Sequence, residues 1–114
     1  MSDEQFRKLI YMKLLIKQGR RKFIHRKDRD YDRDLDDIGI TEDEAWEVIL
    51  SLGPRDFILD YRPIYRKIGE DALVFKRMIK KKRIYIKIKL EKRDNDDITV
   101  CLSFHIDNKR GVRI

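Results

Sequence analysis

Two stretches near the end of the chain, RIYIKIKL (83–90) and ITVCLSFH (98–105), bring together a phenol, an imidazole and three fixed cations. In the first, Ile84, Ile86, Ile88 and Leu90 alternate with Arg83, Tyr85, Lys87 and Lys89. In the second, Ile98, Val100, Leu102 and Phe104 alternate with Thr99, Cys101, Ser103 and His105. A period of two is the pattern of a strand with one face in a core. If the two strands form a hairpin, their aliphatic rows must share a side. Tyr85, Lys87 and His105 then share the other side, with Tyr85 and His105 near the far ends of their strands. The preceding strand adds Lys76 or Arg77, according to its register.

An imidazole titrates near pH 6.5 and exchanges protons at neutral pH. A phenol hydrogen-bonds to a developing oxyanion or protonates it. Lysine and arginine neutralise a phosphate that gains charge under attack. Together these groups could split RNA with the substrate's own 2′-hydroxyl as nucleophile, a reaction that needs neither metal nor cofactor. The expected catalytic set is His105, Tyr85 and Lys87, and the expected backbone-holding set is Lys76, Arg77, Arg83 and Lys89. Two alternatives use the same face without chemistry: an RNA- or DNA-binding module in which His105 is incidental, and a domain that docks an acidic protein segment. Cys101 in mid-strand reads as a small buried or half-buried side chain rather than a nucleophile. His25, within RKFIHRK, reads as a surface residue.

The 114 residues suit a single domain over 1–114 with one modest core. The net charge of +7 favours a polyanionic partner. Residues 76–93 carry ten Lys or Arg against one acid, Glu91, whereas residues 41–60 carry six acids against Arg55. No apolar run approaches the ~20 residues of a membrane helix. The polar, acidic start MSDEQ argues against a secretory signal, and a lone cysteine against an internal disulfide, so a reducing cytoplasm is expected. One cysteine and two separated histidines make no zinc or iron–sulfur pattern.

Positioning elements follow from caps and periodicity. Ser2 and Gln5 form a capping-box pattern before Phe6, Leu9, Ile10, Leu14 and Ile16, which predicts a helix over 3–18. Thr41 and Glu44 form another before Ala45, Trp46, Val48, Ile49 and Leu52, which predicts a helix over 42–52 ended by Gly53–Pro54. Trp46 reads as core. Phe23 and Ile24 suit a short strand or turn, and DRDYDRDLDD an irregular solvated connection with at most a helical turn near Leu35 and Ile38. Residues 54–71 read as a long connection pinned by Phe57 and Ile58, in which Tyr61, Arg62, Tyr65, Arg66 and Lys67 interleave rings with cations, as nucleic-acid binders do. Strands over 72–79, 83–90 and 98–105 close the chain. The expected architecture is α+β: two helices on one face of a twisted antiparallel sheet of three or more strands.

Four segments, AWEVILSLGPRDF (45–57), LVFKR (73–77), IYIKIKL (84–90) and VCLSFH (100–105), stand in the order found in the MqsR family of toxins from bacterial type II toxin–antitoxin systems, and the chain resembles that family from about residue 36 onward. The resemblance implies a RelE-like fold, an mRNA interferase that cuts independently of the ribosome, and a cognate antitoxin, often zinc- and DNA-binding. It carries function to Tyr85 and Lys87 of the YxK strand and to the residue after SF, His105 here and lysine in some members. The chain departs from the family where a lysine follows the DF element, near Leu59, and where a glutamine precedes the first strand, at Ala72.

Overall fold

The computed structural model describes residues 1–24, 30–58 and 72–107. Helix α1 spans Asp3–Lys17, with the Ser2 hydroxyl accepting from the Gln5 N–H and the Gln5 side chain accepting from the Ser2 N–H. Strand β1 covers Arg21–Phe23, α2 Tyr31–Ile38 and α3 Glu42–Leu50. A turn of 3-10 helix at Pro54–Asp56 leads into β2, Phe57–Ile58. Strands β3 (Ala72–Ile79), β4 (Lys82–Arg93) and β5 (Asp96–Ile106) follow. The five strands form one sheet in the order β1-β5-β4-β3-β2.

Helix α2 corrects the reading of its segment as irregular. Asp30 caps it, its carboxylate accepting from the Asp32 and Arg33 N–H groups at 3.1 and 3.4 Å. Gly39 ends it with φ of 92°, a left-handed position that favours glycine. Tyr31, Leu35 and Ile38 are its only apolar residues, but at spacings of four and three they make one stripe. Leu35 and Ile38 are buried, and Tyr31 stacks on Phe23 with ring centroids 4.9 Å apart. The charge density that suggested a loop is the solvated remainder of the helix.

The sheet is mixed rather than wholly antiparallel. β1 runs parallel to β5, Arg21 level with Thr99 and Phe23 with Cys101, while the remaining pairs are antiparallel. The β3–β4 and β4–β5 hairpins turn through Lys80–Lys81 and Asp94–Asn95, all four residues having φ between 50° and 71°. Such two-residue left-handed turns match the twist of paired strands. Lys80 and Lys82 donate to the carbonyls of Gly39 and Asp37 at 2.5 and 3.0 Å, fixing the first hairpin to the negative end of α2.

The helices cover one face of the sheet. Leu9, Met12 and Ile16 of α1, Leu35 and Ile38 of α2, and Ala45, Trp46 and Ile49 of α3 share a core with Leu73, Phe75, Ile84, Ile86, Ile88, Cys101 and Phe104. Trp46 lies against Phe23, centroids 4.7 Å apart. Phe57 meets Phe75 edge-on at 5.8 Å, so β2 is pinned as its sequence suggested. Among the described residues no helix is long and apolar enough to cross a membrane.

Candidate nucleic-acid interface

Every side chain on the face turned away from the helices is placed by parity, and that parity breaks once. Lys87 is level with Ser103, but its neighbour Ile88 is level with Cys101, leaving Leu102 as an extra residue in β5. A bulge of this kind shifts the alternation by one. After it, Phe104 faces the helices and Ser103 and His105 face away, as the alternation predicts. Before it the prediction is reversed. Thr99 and Cys101 are buried on the helix side, where the Thr99 hydroxyl donates to the Met12 carbonyl at 3.0 Å. Val100 moves to the opposite face, level with Lys89.

That face is ordered in rows across β3, β4 and β5. Lys76, Tyr85 and His105 form one row, and Val74, Lys87 and Ser103 the next. Ala72, Lys89 and Val100 form a third. Met78 and Arg83 stand beyond the first row, beside Asp107 at the end of β5. Tyr85 and His105 stack, with centroids 5.3 Å apart and planes at 21°. Lys87 is a diagonal neighbour of His105, about 7–8 Å away along the sheet. On this face Val74 and Val100 are buried, with Lys87 and Lys89 half-buried beside them.

His105 Nδ1 lies 2.9 Å from the Ile106 carbonyl oxygen. A carbonyl only accepts, so Nδ1 carries the proton of the neutral ring and Nε2 is its basic nitrogen. Lys76 Nζ forms an ion pair with Asp107 at 2.8 Å, the aspartate side chain being only 5% exposed. Sequence reasoning missed Asp107. Its place two residues after His105 puts it on the same face, and that offset was the available signal. Lys89 and Arg93 share Glu91, at 3.8 and 2.8 Å.

Arg77 does not belong to this group. It is level with Ile84 and therefore faces the helices. Its guanidinium donates to Asp56 at 2.9 Å and to the Ser51 carbonyl at 3.0 Å, and also meets the Ser51 hydroxyl. Burial alone would raise the Asp56 carboxyl, but Arg77 and the Gly53 N–H hold it below its ordinary value. Lys13 donates to the Leu52 carbonyl in the same corner, and burial followed by repulsion from Arg77 lowers its pKa. Arg77 closes the C-terminal end of α3 rather than facing a substrate.

Cys101 is buried and its thiol is pushed far up by desolvation, which removes it as a nucleophile. Among the described residues no group of three or more His, Cys, Asp or Glu could hold a metal ion. His25, Leu59 and the interleaved Tyr61, Arg62, Tyr65, Arg66 and Lys67 lie outside the described residues. No family model, no curated protein and no solved structure matches the chain.

Proposed function

We propose that the protein is a metal-independent endoribonuclease, an mRNA interferase toxin of the kind the MqsR resemblance implies, acting in the cytoplasm and neutralised by a cognate antitoxin. The observation that carries this reading is the Tyr85–His105 stack with Lys76 and Lys87 beside it. His105 Nε2 takes the proton of a ribose 2′-hydroxyl. The 2′-oxygen forms a bond to phosphorus as the bond from phosphorus to the 5′-oxygen breaks. The departing oxygen receives a proton from the Tyr85 hydroxyl, and solvent returns one from the imidazolium to the phenolate. Lys87 offsets the charge gained by the phosphoryl oxygens, and Lys76, Arg83 and Lys89 hold neighbouring phosphates. The products are a 2′,3′-cyclic phosphate and a 5′-hydroxyl.

The experiment is incubation of the purified protein with a long mRNA in EDTA, with new ends mapped by primer extension and their chemistry determined. Cyclic phosphate ends at repeated short sequences support the reading. RNA that is bound but intact after hours reduces the protein to a binding module. An acidic peptide bound in preference to RNA points instead to a protein-docking domain.

A further inference from the structure

Helix α1 is apolar on two opposite sides. Leu9, Met12, Leu15 and Ile16 are buried against the fold. On the far side Phe6, Ile10 and Leu14 recur every four residues, 40%, 50% and 50% exposed. Three exposed large side chains in one stripe are unusual for a surface helix. The stripe has Ile10 at its midpoint. Phe6 and Leu14 are equidistant from it, and so are Asp3 and Lys17, which carry opposite charges at the two ends of the helix.

We propose that α1 is the contact of a symmetric dimer in which the α1 helices of two copies pack antiparallel about Ile10. A two-fold axis at Ile10 sets Ile10 on its own copy, Phe6 on Leu14, and Asp3 beside Lys17 at both ends. Charge selects this occupant and this direction. A parallel copy would oppose Asp3 to Asp3 and Lys17 to Lys17, whereas the antiparallel one pairs opposite charges and aligns the helix dipoles favourably. The equidistant pair Arg7 and Lys13 does not oppose it, because Lys13 turns into its own fold and donates to Leu52. Fifteen residues make a helix about 22 Å long, so the contact is at the small end of specific interfaces and the expected dissociation constant is ~1–100 μM. The inference is independent of the nuclease reading, since α1 packs on the opposite side of the sheet from Tyr85 and His105.

Sedimentation equilibrium of the full chain from about 10 μM to about 1 mM tests it. The wild type is expected to pass from monomer to dimer, and Ile10→Asp, which sets two carboxylates face to face, to stay monomeric with unchanged circular dichroism. Under mild oxidation Ile10→Cys is expected to form a disulfide-linked dimer readily and Leu14→Cys slowly, with Cys101 too buried to interfere. A wild type monomeric throughout the range overturns the proposal, as does Leu14→Cys cross-linking faster than Ile10→Cys.

Discussion

The proposed chemistry rests on few atoms. Tyr85→Phe keeps the ring that stacks on His105 and removes only the hydroxyl, so it separates packing from proton donation. We expect Tyr85→Phe and His105→Ala each to lower RNA cleavage by ~10²-fold or more with unchanged melting curves. Undiminished cleavage by folded His105→Ala would exclude the imidazole from the mechanism. Asp56 tests a different residue, one that holds structure. Its folded pKa lies below the ordinary carboxylate value, so its ionised form adds stability above pH ~4, and that stability is lost as pH falls through the depressed folded value. Asp56→Asn should therefore cost about 1 kcal/mol at neutral pH, with the gap to wild type closing in acid. A gap that stays constant from pH 7 to pH 2 in urea titrations would show that the Asp56 charge is not what Arg77 needs.

At the level of elements, the turns offer a direct measurement. Lys81 holds φ of 68° without being glycine, a conformation that costs an L-residue roughly 1 kcal/mol. Lys81→Gly should raise stability by about 0.5–1 kcal/mol, seen as a higher urea midpoint at unchanged slope. A lower midpoint would mean that the lysine side chain supports the turn. Both capping boxes, the hairpins and the limits of β3 were legible in the sequence, because caps and period two are local signals. The elements that were not legible failed for separate reasons. α2 places three apolar residues among charges, and local charge density hid the stripe. For β1 a short strand or turn at Phe23 and Ile24 was legible but its pairing was not, since its parallel partner lies 78 positions further on, Arg21 to Thr99, with no turn to announce it. The bulge at Leu102 interrupts an apolar-polar alternation that is unbroken in the sequence, with no glycine to mark it. Arg77 and Lys76 were indistinguishable until β3 had a register.

Among the described residues, the acidic first turns of α2 and α3 lie on one side of the sheet and a row of cations on the other, while α1, also on the helix side, adds Arg7, Lys8, Lys13 and Lys17. α2 and α3 carry Asp32, Asp34, Glu42, Asp43 and Glu44 in their first turns, while the opposite face carries Lys76, Arg83, Lys87 and Lys89. If those four cations each displace one counterion from single-stranded RNA, log affinity should fall against log salt with a slope of roughly −3, four times the ~0.7 expected per contact. Replacing Arg83 with alanine should flatten the slope by about 0.7. A slope near zero would remove the face as an RNA site. The extra residue in β5 has a last consequence for this division. It puts the two halves of one strand out of phase, so that Thr99 and Cys101 before it face the helices while Ser103 and His105 after it face away from them. Deleting Leu102 would force one alternation on the whole strand. Either His105 would turn inward beneath the helices, or Thr99 and Cys101 would be expelled from them. A shortened chain that kept both its stability and its cleavage activity would show that the strand had found another place to slip.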